Sequence, residues 1–332
     1  MISREILQKA ADQGIIQSDQ VEPLLRFVQN QPVASDTVAG EEPLRFIRSF
    51  GDVFITLGVV LLVIAINMTG LSGYLYMIPV VGFIVIAEWL VRVRRLSLPG
   101  IAILISILFF VNKAIAFDHE NATVFGVGVL CLTSLLFYLR YKMPFSLLPL
   151  AAGLVGIAII QIGVDVIQNP LIFVGLGLIV FVIAMLFDVR DTKRVSHLSD
   201  SAFWLHLLAS PLIVHGAMVS LFFSNQEWIQ AIDKEVIIIV FFLVFLLLAL
   251  LLDRRAMLVS TQLYMIYALT QVFVGQLPST QNVLIYVLLL LGFLVIFFGT
   301  YWYKTRRLIF GFLAGSIVGR FVPGFDIQDS KS

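Results

Sequence analysis

The chain has 332 residues, of which 60% are hydrophobic and 13% charged, and its mean hydropathy is +1.00. A soluble domain carries about 45–50% apolar and roughly 25% charged residues, so this composition excludes a water-soluble globule and a disordered chain. The formal net charge of +1 lacks the basic excess that nucleic-acid binding requires, so no nucleic-acid partner is expected. The sequence predicts an all-α, polytopic transmembrane helical bundle in contact with the lipid bilayer.

The polar first segment, residues 1–44, predicts a small cytoplasmic helical hairpin followed by a linker. Ile6 and Ala10 share one face of a short helix that Gly14 can end, because glycine tolerates the left-handed conformation. A second short helix begins near Pro23, which has no amide hydrogen to donate and suits a first turn. The hairpin is either a docking module for a protein partner or an element that rests on the bundle.

Ten apolar stretches are long enough to cross a hydrocarbon core of about 30 Å at about 1.5 Å per residue. They cover 51–67, 74–91, 98–117, 121–139, 144–163, 170–187, 199–222, 235–252, 256–276 and 281–302. These stretches predict a ten-span transmembrane bundle over residues 45–305. The first of them follows a polar segment and lacks the pattern of a cleavable signal, so we expect it to be retained.

The positions of Lys and Arg predict the orientation, because cytoplasmic loops retain these residues. In the ten-span arrangement, 20 of the 22 Lys and Arg residues fall in the N-terminal segment, the even-numbered connections and the C-terminal tail. Only Lys113 and Lys234 fall on the other side. Both termini are therefore predicted to be cytoplasmic. A helical bundle rather than an outer-membrane barrel favours the bacterial inner membrane.

Ionisable residues inside a span are costly and are functional candidates by default. Glu88 lies near the cytoplasmic end of the second span, and Arg92 follows four residues later. This spacing favours an ion pair on the helix surface. A paired carboxylate at this position is either a structural feature or a proton carrier.

The seventh span contains two histidines, His206 and His215, with Pro211 between them. Nine residues at 100° each place the imidazoles on opposite sides of the helix, about 13.5 Å apart along its axis, so they cannot share one metal ion. Pro211 frees the carbonyl of Leu207 and predicts a helix kink. A kink beside polar side chains can form a midplane cavity, and the alternative is that each histidine bonds a neighbouring helix.

Polar side chains recur at helical spacing along the ninth span. They are Ser260, Tyr264, Tyr267 and Gln271, at positions i, i+4, i+7 and i+11. This spacing places all four on one face. The stripe indicates either the lining of a solute or proton path, or a set of interhelical hydrogen bonds of about 0.6 kcal/mol each.

Residues 306–332 predict a glycine-rich helix followed by a cytoplasmic tail. Gly311, Gly315 and Gly319 recur every four residues and so lie on one face, which favours close helix packing over a gate. The apolar run within 308–321 is too short to span a membrane. It predicts an interfacial or re-entrant helix.

Motifs for catalysis are missing from the sequence. No HExxH zinc motif, GxSxG elbow, phosphate-binding loop or dinucleotide glycine fingerprint occurs. The four histidines have no metal-ligand spacing, and the lone Cys131 cannot build a thiolate cluster. We therefore expect no enzymatic activity, no metal and no cofactor.

The start of the chain resembles a family of bacterial membrane proteins. The residues that carry the likeness are AADQGIIQSDQVEPLLRFVQNQ, followed by FIRSFGDVFITLGVVLLVIAI. They resemble family 2157 of the domains of unknown function, over about the first seventy residues. The resemblance implies a short helical N-terminal region, a long multi-span domain of ten or so helices, and no assigned activity.

Two functions from different classes follow from these features. The first is a permease or exporter-like component for a small solute, with Tyr264, Tyr267, Gln271 and His206 along its path. The second is a non-catalytic membrane scaffold or regulatory protein that acts through the N-terminal hairpin. A transporter needs a water-accessible polar track, whereas a scaffold should be dry inside. Intramembrane chemistry on a lipid is a third possibility.

Overall fold

The computed structural model describes residues 4–30, 49–116, 123–163, 169–192, 196–223, 234–274 and 280–313, together with Ser316 and Val322. The chain divides into two compact units, Met1–Leu44 and Arg45–Ser332. The described residues contain helices and turns but no β-strand. The prediction of an all-helical protein is confirmed for this part of the chain.

The smaller unit contains two short helices, α1 (Arg4–Asp12) and α2 (Val21–Asn30). Gly14 follows α1 at a φ of 72°, a left-handed conformation that favours glycine. A 3₁₀ turn over Ser18–Gln20 leads into α2, and the Gln20 side chain accepts a hydrogen bond from the Gln17 backbone N–H at 3.0 Å. The second helix therefore begins two residues before Pro23.

The larger unit contains ten α-helices within its described residues. They are α3 (Phe50–Met68), α4 (Met77–Ala87), α5 (Ser97–Ala116), α6 (Thr123–Tyr141), α7 (Leu147–Ile162), α8 (Leu171–Arg190), α9 (His197–Phe223), α10 (Lys234–Leu252), α11 (Ala256–Phe273) and α12 (Thr280–Phe310). A 3₁₀ turn precedes α4, and a π-helical segment, Glu88–Val93, extends it. Another 3₁₀ turn, Pro144–Ser146, precedes α7.

Eight helical segments in the described ranges are long and apolar enough to cross a membrane. They are Phe50–Met68, Gly73–Val93, Ser97–Ile115, Val124–Tyr141, Pro144–Ile162, Leu171–Arg190, His197–Leu221 and Gln281–Leu313. Two further apolar stretches, Val236–Leu252 and Tyr264–Phe273, are shorter. Eight such helices fit a multi-pass membrane protein. The count of ten spans stays a prediction.

The first half of the unit packs around aromatic side chains. Phe110 of α5 is fully buried and stacks on Phe83 of α4 at 6.0 Å between ring centroids and on Tyr76 at 5.9 Å. A second core joins α9, α10, α11 and α12, and its largest fully buried side chain is Trp302. In a bilayer, van der Waals packing rather than the hydrophobic effect holds such helices together, because lipid tails are as apolar as the core itself.

The contact between α8 and α9 depends on glycine. A Cβ atom at Gly177 would lie 2.8 Å from the Ile213 side chain and 3.0 Å from its backbone nitrogen. A Cβ atom at Gly216 would lie 2.9 Å from the Pro170 carbonyl oxygen. Small residues at these two levels let the backbones approach closely, as in many membrane helix pairs. This close approach fixes the C-terminal end of α8 beside the first turns of α9.

The last helix runs further than the sequence predicts. α12 continues to Phe310, with non-helical dihedral angles at Tyr301 (φ −106°, ψ 17°), and Gly311–Leu313 form a 3₁₀ turn. The apolar residues from Leu308 therefore begin as the end of α12 rather than as a separate helix. Gly315 and Gly319 lie outside the described residues, so the predicted glycine face stays a prediction.

Candidate functional site

A tight turn that carries three charged residues, Asp253–Arg255, joins α10 to α11. Asp253 and Arg254 are buried, at 4% and 2% exposure. The turn ends α10 in a double hydrogen-bond pattern: the Arg254 N–H donates to the Ala249 carbonyl at 2.8 Å, and the Asp253 N–H donates to the Leu250 carbonyl at 3.3 Å. This Schellman pattern requires a left-handed residue, and Asp253 supplies it at a φ of 55°.

One face of the turn forms what we call the Asp188 centre, made of Asp188, Ser199, His206 and Arg254. The Arg254 guanidinium donates to both carboxylate oxygens of Asp188, through Nη2 to Oδ1 and through Nε to Oδ2 at 3.4 Å. His206 Nε2 lies 2.9 Å from Asp188 Oδ2. Arg254 Nη2 also donates to the Ser199 hydroxyl and carbonyl, each at 3.2 Å. The end of α8, the N-terminal part of α9 and the turn between α10 and α11 therefore converge on one carboxylate.

The Asp188 carboxylate lies where a negative charge is costly, and Arg254 offsets that cost. The carboxylate lies two residues before the end of α8, where the negative end of the helix dipole opposes it. Its side chain is 1% exposed, so water cannot screen it. A guanidinium that reaches both oxygens offsets these costs, because it pairs with a carboxylate in a fixed geometry.

His206 is the residue of the centre whose charge can change under physiological conditions. Its side chain is fully buried, and its ring packs edge-on against Phe181 at 5.2 Å. The carboxylate that holds the imidazole also holds Arg254, so a proton gained or lost here acts on both contacts. Asp188 therefore joins α8 to α9 through His206 and to the turn through Arg254.

The other face of the turn is bound by α12. Trp302 Nε1 donates to Asp253 Oδ1 at 2.6 Å, and the Arg255 guanidinium lies 5.3 Å from the centre of the Trp302 ring. Arg306 donates to the Leu250 carbonyl at 2.8 Å and to a second carbonyl at the end of α10. The Leu250 carbonyl thus accepts from both Arg306 and the Asp253 N–H, and the arginine complements the negative end of the helix.

The polar residues of the predicted pathway are distributed over several places in the structure. His206 belongs to the Asp188 centre. His215 Nδ1 lies 2.7 Å from the Tyr264 hydroxyl oxygen, which joins α9 to α11. Tyr267 and Gln271 lie on the exposed surface of the chain, and the side chain of Ser260 is outside the described part. α9 remains helical across Pro211.

Glu88 lies in a separate and more exposed group. It accepts a hydrogen bond from Arg92 Nη1 at 3.2 Å, the pair that the spacing predicts. It also accepts from Arg140 at 2.8 and 3.0 Å and from the Tyr141 hydroxyl at 3.1 Å. This group links the π-helical end of α4 to the end of α6.

A small cavity lies near the same ends of the helices. Its volume is about 40 Å³, enough for a water molecule, and its lining includes Met143, Asp200 and Trp204. No group of three or more His, Cys, Asp or Glu side chains in the described ranges is arranged to hold a metal ion.

The sequence misses most of the Asp188 centre. By position in the sequence, Arg254 lies in the connection between the eighth and ninth predicted spans, and Asp188 directly follows the sixth. One signal is present in the sequence, because Asp188 and Asp253 each end an apolar run just before a basic residue. That repetition marks two helix ends, but it does not show that one aspartate pairs with the arginine after the other.

Comparisons of the chain with protein-family models, with curated proteins and with solved structures find no match.

Proposed function

We propose that this chain is a ten-span protein of the bacterial inner membrane with both termini in the cytoplasm. Eight long apolar helices, with α10 and α11 as the two shorter spans, are the support for the count. The distribution of Lys and Arg is the support for the orientation. Kinship with family 2157 of the domains of unknown function is part of the same proposal and rests on the first seventy residues.

We infer that the protein works as a permease or exporter-like component for a small solute. The observation that carries this inference is the Asp188 centre. A carboxylate and a guanidinium buried among apolar helices are expensive, and such groups in membrane proteins commonly mark ion or solute pathways. A merely structural joint between helices can be built from apolar packing at lower cost.

The proposed role of the centre is that of a gate. Arg254 keeps its charge, whereas His206 can take a proton. With Asp188 ionised, the carboxylate holds the turn against α8 and α9. When an anionic solute group takes the place of Asp188 on the Arg254 guanidinium, the turn separates from the two helices and water enters between them.

Thiol labelling of matched serines tests this gate. We would replace Cys131 with Ala and introduce Ser199→Cys or Ser210→Cys. Ser199 contacts Arg254, and Ser210 donates a hydrogen bond to the Met257 carbonyl at 2.9 Å. The control is Ser134→Cys, because Ser134 is also buried but donates its hydrogen bond within α6. Each variant is exposed to a membrane-impermeant thiol reagent in intact cells and in inside-out vesicles.

A gate predicts that Ser199→Cys and Ser210→Cys react faster than Ser134→Cys from at least one side of the membrane. It also predicts that Asp188→Asn accelerates both reactions, because the contact that closes the gate is lost. Equal, very slow reaction at all three positions from both sides would contradict the permease function. That result would favour the second candidate.

The second candidate is a membrane scaffold or regulator that acts through residues 1–44. Two observations support it. The unit is compact, and Ile15, which lies in the connection between two amphipathic helices, is 71% exposed. A photo-crosslinking amino acid at Ile15 tests it, with one at the exposed Lys9 as the control. A specific protein adduct at Ile15 but not at Lys9 supports docking, and no adduct at either position contradicts it.

A further inference from the structure

A basic surface lies where the end of α4 meets the end of α6, and neither proposed function uses it. Its members are Arg92, Arg94, Arg95, Arg140 and Lys142, all exposed. The first three lie at or just beyond the end of one apolar segment, Gly73–Val93, and the other two lie at or just beyond the end of another, Val124–Tyr141. We call these five residues the basic surface. Because both apolar segments end here, the basic surface lies at the depth where a helix leaves the apolar part of a bilayer.

Glu88 joins the two halves of the basic surface but neutralises only part of it. Its carboxylate holds Arg140 by two hydrogen bonds and Arg92 by one. The side chains of these arginines remain 48% and 57% exposed. Asp200 is a second acid in the neighbourhood, since it lines the adjacent cavity with Met143. Five cations against two carboxylates leave a clear positive excess.

Aromatic rings support two of the cations that do not bind Glu88. The Arg94 guanidinium lies 5.1 Å from the centre of the Trp89 ring, and Lys142 Nζ lies 5.7 Å from that of Tyr138. Trp89 is 56% exposed. Tryptophan and tyrosine prefer the headgroup level of a bilayer, where their rings are amphipathic. The cations above these rings therefore lie at the level of lipid phosphates.

We propose that the basic surface binds the phosphate headgroup of an anionic phospholipid. The guanidinium groups of Arg92 and Arg140, held side by side by Glu88, offer planar donors to phosphate oxygens. Arg94 and Lys142 add charge at the rim, and the exposed apolar residues of the same segments, among them Val93, contact the acyl chains. The proposal does not depend on the permease function.

Lipid retention by the purified full-length chain tests the proposal. The patch variant is Arg94→Gln/Lys142→Gln, which removes two cations without touching the Glu88 pairs. The control is Lys113→Gln/Lys304→Gln, which removes two cations that also lie over aromatic rings, Phe109 and Tyr301. Each protein is reconstituted with phosphatidylglycerol in phosphatidylcholine, and native mass spectrometry counts the retained lipids. The charge-preserving variant Arg94→Lys/Lys142→Arg guards against misfolding.

Wild type, the control and the charge-preserving variant should each retain phosphatidylglycerol in preference to phosphatidylcholine. The patch variant should bind it roughly 25-fold more weakly, at about fivefold for each of the two cations removed near a membrane surface. Equal retention by the patch variant and wild type would overturn the proposal. So would an equal loss in the control. The lipid assignment is checked separately by adding inorganic phosphate to the protein in detergent. If phosphate stabilises the protein as much as phosphatidylglycerol does, the ligand is a soluble anion and the lipid assignment is overturned.

Discussion

The two acidic residues Glu88 and Asp188 have similar partners and very different surroundings. Each lies near the end of an apolar helix, and each accepts hydrogen bonds from an arginine that is distant in sequence. The Glu88 side chain is 36% exposed, whereas Asp188 is 1% exposed. Water and headgroups can replace the partners of Glu88, but nothing replaces those of Asp188. The same ion pair is therefore a surface contact in one half of the bundle and a structural requirement in the other.

The largest expected difference follows from deleting each carboxylate. Asp188→Ala leaves the Arg254 guanidinium buried without its counter-charge, which should lower the free energy of unfolding by about 3–5 kcal/mol. Glu88→Ala should produce a change close to the error of the measurement, since exposed pairs contribute little. Unfolding in mixed micelles with a denaturing detergent measures both.

The double variant Asp188→Leu/Arg254→Met serves as the rescue for that comparison. Removing both charges together should recover much of the lost stability, because apolar groups of similar volume replace a buried ion pair well. Equal effects of Asp188→Ala and Glu88→Ala would show that water reaches both sites.

Glycine substitutions on α8 should give the next largest change in stability, and they compare a closely packed position with an open one. Gly177→Ala should destabilise the protein by about 1–3 kcal/mol, because the new methyl group overlaps α9 at Ile213. Gly175, two residues earlier on α8, has open space around it. Gly175→Ala should therefore be neutral or stabilising by up to about 1 kcal/mol, since alanine favours the helix. The same micelle titration distinguishes them, and a harmless Gly177→Ala would contradict the close α8–α9 contact.

Two left-handed residues after helices give a smaller contrast. Lys142 and Asp253 have φ values of 52° and 55°. Lys142→Gly should stabilise the protein by up to about 1 kcal/mol, because the relief of backbone strain outweighs the loss of the exposed contact between Lys142 and the Tyr138 ring. Asp253→Gly should destabilise it by about 1–2 kcal/mol, because the buried Trp302 N–H loses its acceptor. Stabilisation by both substitutions would show that the Asp253–Trp302 bond contributes nothing.

The helices themselves could be predicted from the sequence because each apolar run is long and ends at polar or basic residues. The ten predicted stretches correspond to α3 through α12, with ends that differ by a few residues except at α12. There the chain stays helical to Phe310, since Lys304, Arg306 and Arg307 are good helix formers. Charge signals the end of a span, but it does not require the helix to stop.

The Asp188 centre could not be predicted because its main signal has a second and commoner meaning. Arginine after an apolar run usually lies in a cytoplasmic loop, and Arg255 and Arg254 fit that pattern by sequence. Only the fold shows that this turn is covered by the ends of α8, α9 and α12. The polar stripe on α11 illustrates the reverse case: its spacing is regular, but Tyr264 contacts α9 while Tyr267 and Gln271 are exposed. Spacing defines a face without defining what that face meets.

A double-mutant cycle on Asp188 and Arg254 tests the buried centre most directly. The free energies of unfolding of wild type, Asp188→Asn, Arg254→Gln and the double variant are compared, with the Glu88–Arg140 pair measured in parallel. A coupling of about 2–3 kcal/mol is expected for the buried pair, well above that of the exposed pair. A coupling below about 0.5 kcal/mol, within the range of independent sites, would contradict an ion pair closed to water at this turn.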